Sequence, residues 1–241
     1  MIALLLTLAS SFYSAIFPTP QNETADCPAP SSYSLPIRTP EWASRSAAIA
    51  AAVGKGGRNI MIGDSITANW PSTLAGQIFP ERSSVNAGVK GDTVPNIIWR
   101  TAKMDLSSAR TITFLGGVND LQQGHRTPVD VTASIMFEVN LLKRVASDAD
   151  IFVFKILPTS YPVGSVNGQR IRDANALISR CVTGGRVHVI DLAPALAPNG
   201  GTVASAGLLV DRVHPSLTGY DSLTSYAKGQ IARFGGGERF Q

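Results

Sequence analysis

Short, largely apolar runs recur along the chain at residues 60–62 (IMI), 85–89 (VNAGV), 112–115 (ITFL), 151–157 (IFVFKIL) and 187–190 (VHVI). They do not alternate with polar residues, which is the pattern of strands buried on both faces of a parallel sheet. Between them the spacing turns helical. Residues 41–53 (EWASRSAAIAAAV) are Ala-rich and are stopped by Gly54 and Gly56-Gly57. Residues 128–147 place Val131, Ile135, Val139 and Leu142 on one face, and residues 168–182 and 216–233 also read as helices. Strand and helix in alternation predict an α/β domain with a parallel sheet covered on both sides. Ligands of such sheets bind beyond the carboxyl ends of the strands, near the point where strand order reverses. The residues that follow each apolar run are therefore the ones to inspect for chemistry.

The N-terminal stretch breaks this alternation. Residues 1–17 (MIALLLTLASSFYSAIF) have the length of a signal-peptide hydrophobic region and are short for a membrane span. No Lys or Arg precedes them, and the small-x-small triplet Ala9-Ser10-Ser11 falls early for cleavage. The expectation is a signal peptide or an N-terminal anchor, and hence a secreted or periplasmic, extracytoplasmic protein. Residues 18–40 carry six prolines and read as an extended linker or arm. Asn22-Glu23-Thr24 is a glycosylation sequon, meaningful only in a eukaryotic secretory pathway. The folded domain is expected at 41–235, with a tail at 236–241.

Composition narrows the classes. At 241 residues the chain suits one well-cored domain, and 44% hydrophobic with 16% charged residues is globular. The net charge of +4 comes from 21 basic and 17 acidic residues with no basic run, and no nucleic-acid-binding signature is present, so no nucleic-acid partner is expected. Two cysteines, Cys27 and Cys181, exclude a four-cysteine zinc site and a dense disulfide framework. They either pair, tying the arm to the domain in an oxidising compartment, or are two unrelated thiols; spacing does not decide.

The strand ends supply a consistent set of groups. Gly63-Asp64-Ser65 follow the first run, Asn86 to Thr93 (NAGVKGDT) the second, and Gly116 to Asp120 (GGVND) the third; Asp211 and His214 stand in DRVHP before the last helix. A serine hydroxyl needs a base to become a nucleophile. Histidine can take and return that proton, and a carboxylate three residues upstream can fix its tautomer. The Ser65 and Gly88 N–H groups and the Asn119 amide are candidate donors to an oxyanion. Competing signatures fail: Thr67 stands where the G-x-S-x-G elbow needs its second glycine, and neither a P-loop nor G-x-G-x-x-G is present.

GDS at 63–65, NAGVKGDT at 86–93, GVND at 117–120 and DRVHP at 211–215 together resemble the four blocks of the SGNH hydrolase, or GDSL lipase/esterase, family, in order and over about 150 residues. Ile66 replaces the leucine of the usual G-D-S-L. The resemblance implies a three-layer α/β/α flavodoxin-like fold with a central parallel sheet of about five strands. It makes Ser65 the nucleophile, His214 the general base and acid, Asp211 the third triad member, and Ser65, Gly88 and Asn119 the oxyanion hole. It implies no metal or organic cofactor. The activity expected is hydrolysis of short-chain or acetyl carboxylic esters through an acyl-enzyme, with O-acetylated carbohydrates favoured because no long lid insertion is visible. The partner is then a small-molecule or glycan acyl ester, with no stable membrane partner beyond the N-terminal anchor. An O-acyltransferase using the same triad and a non-catalytic glycan- or lipid-binding module are the alternatives; oligomeric state is not readable.

Other polar residues have plainer expectations. Asp64 and Asp120 are expected to brace strand-end turns, and Asp92 and Thr93 to cap a helix beginning near Val94. ITANW after the nucleophile is expected to open a helix whose dipole faces developing negative charge. His188 reads as a satisfied core or edge residue and His125 as an exposed loop residue. Trp70, Trp99 and Phe114 are expected in the core rather than lining a site.

Overall fold

The computed structural model describes residues 27–32, 39–79 and 83–234. The segment 1–17, the sequon at Asn22 and the tail at 236–241 lie outside the described residues, as does most of the proline-rich arm.

Five parallel strands form one sheet: β1 (Asn59–Gly63), β2 (Ser84–Gly88), β3 (Thr111–Leu115), β4 (Asp150–Phe154) and β5 (Val187–Ile190), in the order β2-β1-β3-β4-β5. Each apolar run of the sequence is one strand. Every residue of β1 and β3 is buried, as befits strands covered on both faces. The run at 151–157 continues past the end of β4 because Ile156 and Leu157 leave the ladder but stay in the core. Strand order reverses at β1, which places the crevice between β1 and β3 beyond their carboxyl ends. The sheet has the five parallel strands of the three-layer α/β/α fold that the sequence resemblance implies.

Nine helices accompany the strands: α1 (Pro40–Val53), α2 (Ser65–Ala68), α3 (Ser72–Ile78), α4 (Val94–Thr101), α5 (Val118–Gln122), α6 (Pro128–Val145), α7 (Val166–Cys181), α8 (Ala193–Leu196) and α9 (Leu217–Ile231), counted among the described residues. Packing of α4 on α6 and α6 on α7 makes one outer layer, while α3 and α8 pack on α9 in the other. The helix starts follow their sequences. Thr127 and Asp130 form a reciprocal capping box at α6, Ser165 and Ser216 cap α7 and α9, and Thr39 caps α1 with Pro40 in the first turn.

The two cysteines are joined: Cys27 and Cys181 form a disulfide with Cα atoms 5.4 Å apart, across 154 residues of sequence. The adjoining Ser31 N–H donates to Ala133 O on α6 at 3.2 Å. Residues 27–32 are thus fastened to α6 and α7 rather than acting as a free linker.

Candidate active site

The first strand ends where α2 begins. Asp64 Oδ1 accepts the Ile66 N–H at 2.9 Å and caps α2, making Ser65 the first helical residue. The helix is a single turn, so what it offers a ligand is the unpaired N–H of its first residue, not a sizeable macrodipole. Two glycines in register, Gly63 on β1 and Gly88 on β2, let that turn sit down on the sheet. A Cβ on Gly63 would lie 2.2 Å from Thr67 Oγ1 and 2.4 Å from Leu115 O; one on Gly88 would lie 2.2 Å from Ala68 N. The need for glycine here is close approach, since neither has a positive φ. From the other side Tyr220 on α9 donates to Ile66 O at 2.8 Å, and Trp70 Nε1 donates to Thr224 Oγ1 at 3.0 Å.

Ser65 Oγ lies 2.8 Å from His214 Nε2 across 149 residues of sequence. The other ring nitrogen, Nδ1, is 2.7 Å from Asp211 Oδ2. Asp211 Oδ1 accepts the N–H groups of Val213 and His214, both at 2.7 Å, so the carboxylate organises the turn that carries the imidazole. Burial alone pushes the Asp211 carboxyl up, but those two N–H bonds and the adjacent imidazole outweigh it and hold the carboxyl below its ordinary value. It therefore stays anionic and fixes a proton on Nδ1, leaving Nε2 to accept from the serine. The hydroxyl, imidazole and carboxylate expected from the sequence are brought into one hydrogen-bonded chain.

The three expected oxyanion donors stand at or just beyond the carboxyl ends of the adjacent strands β1, β2 and β3. The Ser65 N–H has no backbone acceptor among the described residues. Asn119, near the start of α5, gives one amide hydrogen to Asp92 O at 2.8 Å, which leaves the second. The Gly88 N–H is engaged: it donates to Asn86 Oδ1 at 2.9 Å, while Asn86 Nδ2 holds Thr67 O at 2.7 Å.

Beneath these groups lies a buried polar scaffold that sequence patterns did not reveal. Arg100, on α4, is 1% exposed. Its Nε and Nη2 bind Asp92 Oδ2, Nη1 donates to Ala87 O at 2.9 Å and Nη2 to Gly63 O at 3.2 Å. One guanidinium thus ties the ends of β1 and β2 to the loop after β2. Asp92 also accepts the Trp42 indole N–H at 2.6 Å, and burial raises its carboxyl above the ordinary value against the opposing pull of Arg100 and Trp42. The one sequence signal was that Arg100 falls among Val94, Ile97 and Thr101 on the buried side of α4, a position that calls for an apolar residue.

This corrects one expectation. Asp92 does not cap α4, and Thr93 makes no side-chain cap bond; Thr93 Oγ1 instead donates to Asn96 Oδ1 at 2.9 Å. The cap comes from Asp120, whose two carboxylate oxygens each lie 3.1 Å from Val94 N. Aspartate 92 is drawn away because the buried guanidinium is the stronger partner. Asp64 and Asp120 do brace the turns. Burial, joined by the nearby Asp120 and Asp92, pushes the Asp64 carboxyl up to about 7. His188 is satisfied at the sheet edge by Asp150 Oδ1 at 3.3 Å, with its ring stacked on Phe152, and His125 is exposed. Trp70 and Phe114 are core; Trp99 is half-buried against Trp42 with Lys103 over its face.

Sheet order, the strand-end crevice and a hydroxyl–imidazole–carboxylate relay define a parallel α/β hydrolase. The profile of the GDSL-like lipase/acylhydrolase family matches residues 61–221, from β1 into α9, and the chain belongs to that family. Among curated proteins it is similar to platelet-activating factor acetylhydrolase IB subunit alpha1 of Homo sapiens, 25% identical over 163 residues that cover 67% of this chain and 69% of that protein. Among solved structures it is similar to a GDSL-like lipase from Bacteroides thetaiotaomicron, with a TM-score of 0.63, 20% identity, and 80% and 96% of the two chains covered. A carbohydrate esterase family 3 structure from Talaromyces cellulolyticus gives a TM-score of 0.57 at 18% identity, covering 73% of this chain and 97% of that one. The family supports ester hydrolysis in general, and these neighbours share the fold.

Proposed function

We propose that the protein is an exported serine esterase that hydrolyses short-chain or acetyl carboxylic esters, with O-acetylated carbohydrates as the favoured substrate class. The observation that carries this is the continuous relay from Ser65 Oγ to His214 Nε2 and from His214 Nδ1 to Asp211. In the proposed reaction His214 Nε2 takes the hydroxyl proton as Ser65 Oγ attacks the carbonyl carbon. The oxyanion that forms is stabilised by the Ser65 N–H, the free Asn119 amide hydrogen and the Gly88 N–H. His214 then gives its proton to the departing alcohol, leaving an acyl-serine, and the same base activates water to release the acid. Asp211 remains anionic throughout and stabilises the imidazolium.

A short acyl group fits the name of the human relative, an acetylhydrolase. Export fits the Cys27–Cys181 disulfide, since such bonds persist in oxidising compartments. Among the described residues no helix is long and apolar enough to cross a membrane. Ser65→Ala and His214→Ala should each abolish turnover of an aryl acetate, while circular dichroism and thermal melting stay as in the wild type. Retained turnover in either folded variant refutes the assignment.

A further inference from the structure

Two of the three proposed oxyanion donors are held by residues that helix α1 holds in turn. Trp42 donates its indole N–H to Asp92 Oδ1 at 2.6 Å, across 50 residues of sequence. The backbone carbonyl of the same aspartate accepts the Asn119 amide at 2.8 Å. One turn further along α1, Arg45 donates to Asn86 O at 3.1 Å, and the Asn86 side chain accepts the Gly88 N–H. Helix α1 precedes residues 61–221 that the family profile matches, so it lies outside the blocks that carry the relay.

Asp92 stands beyond the end of β2, past a turn that its own N–H closes on Val89 O at 3.3 Å. Arg100 and Asn96 bind its carboxylate from α4, and Trp42 binds it from α1. A carboxylate held from two helices has its place and plane fixed, whereas bonds from one helix let it follow that helix. The fixed side chain sets where the Asp92 carbonyl points, and the carbonyl sets the Asn119 amide. Gln123 Nε2 donates to Asn119 Oδ1 at 3.2 Å and completes the orientation. With that oxygen and one amide hydrogen engaged, the second hydrogen is the one left for an oxyanion.

The indole bond is separable from packing. The Trp42 ring lies against Trp99 with centroids 5.2 Å apart, and Ile49 and Val53 bury the rest of the same helix face. We infer that Trp42 is a positioning residue of the oxyanion hole: through Asp92 it aims the Asn119 amide, so that α1 belongs to the machinery as well as covering the edge strand β2. This rests on the esterase reading above and deepens it.

The test is a double-mutant cycle in the full chain with p-nitrophenyl acetate. Rates are expressed per Ser65 titrated to completion with a fluorophosphonate, which discounts any unfolded fraction. Removing an oxyanion donor outright costs about 10²–10³-fold in kcat, and misaiming one costs less. Trp42→Phe, which keeps an aromatic ring against Trp99 and lacks the N–H, should lower kcat by roughly tenfold with KM within about twofold. In an Asn119→Ala background the same substitution should change kcat by less than about twofold, since no amide is left to aim. Trp42→Leu should repeat the pattern, so the cycle does not hang on one variant folding. Ile49→Val trims the same helix without touching the indole and should leave kcat as in the wild type. A Trp42→Phe kcat within about twofold of wild type, an equal loss in both backgrounds, or a matching loss in Ile49→Val overturns the proposal. An unchanged kcat in Asn119→Ala alone also overturns it, by removing Asn119 from the hole. Failure of the esterase reading looks different: the wild type turns over no ester and Ser65 is unlabelled, and both readings fall.

Discussion

Arg100 is the residue whose removal should damage the protein most for a reason visible in the structure. Its guanidinium binds the fully buried Asp92 and the carbonyls of Ala87 and Gly63. Arg100→Met keeps most of the stem volume but strips the charge partner from Asp92 and removes one donor each from the Ala87 and Gly63 carbonyls, of which Gly63 O keeps the Val89 N–H. Breaking a buried pair by removing one member costs about 3–5 kcal/mol, because the other charge stays uncompensated. For a domain of this size that corresponds to a fall of roughly 6–20 °C in Tm. The pH dependence is fixed in sign. Burial already raises the Asp92 carboxyl, and losing Arg100 removes the main influence opposing it. A carboxyl raised in the folded state contributes stability that is present at low pH and lost as pH rises through its folded pKa. The deficit of Arg100→Met should therefore be larger at pH 8 than at pH 5. Adding Asp92→Asn removes the orphaned charge yet keeps an oxygen for the Trp42 indole, so the double variant should recover part of the loss at pH 8. Urea unfolding followed by circular dichroism, with the disulfide intact, measures all three proteins. A single variant within about 1 kcal/mol of wild type, or a double variant no more stable than the single one at pH 8, refutes the reasoning.

Glu138 is fully buried, and burial lifts its carboxyl to about 7 against the opposing Thr101 hydroxyl bond and Arg100 charge. The wild type should accordingly lose stability as pH rises from about 4.5 to above 7, and Glu138→Gln should flatten that slope, read as urea midpoints at pH 5 and pH 8. Gly88→Ala puts a methyl 2.2 Å from Ala68 N; backbone must shift, with a cost of about 1–3 kcal/mol and a clear loss of kcat, and unchanged kinetics would show that the contact is not needed. Cys27→Ser together with Cys181→Ser opens a 154-residue loop and should lower stability by about 2–5 kcal/mol, measured by urea unfolding with and without reductant. Asp211→Asn keeps an oxygen for the turn N–H groups but favours the wrong imidazole tautomer, and should cut kcat by about 10²–10⁴-fold with little change in Tm.

The fold was legible because its signal is repetitive. Five apolar runs at strand length, separated by helical spacing, leave few alternatives to a parallel sheet. The relay was legible because each member is a residue type with one strong chemical use, placed just after a strand or before a helix. What escaped was the scaffold that holds those pieces in register. Arg100 looks like any helical arginine, Trp42 like any aromatic in an Ala-rich helix, and Asp92 like a cap beside Thr93. Their meaning depends on contacts across 8 and 50 residues that no local pattern encodes. The disulfide was open for the same reason: proximity of Cys27 to Cys181 follows from where α7 lies on the finished domain.

The Asn86 amide connects that scaffold to the proposed chemistry. Its Oδ1 holds the Gly88 N–H and its Nδ2 holds Thr67 O, so one side chain links the second strand to the turn that carries Ser65. A substrate carbonyl, nearly neutral, competes on even terms with that amide oxygen for the Gly88 N–H. A tetrahedral oxyanion competes far better, since hydrogen bonds to ionised acceptors are about twice as strong as neutral ones. In the proposed reaction the third donor would be drawn in as charge develops and be weakly used before. An interaction made chiefly in the transition state raises kcat without tightening the ground state. In the proposed esterase, the engaged N–H of Gly88 is thus compatible with its expected place in the oxyanion hole, with Asn86 keeping it aligned until the serine attacks.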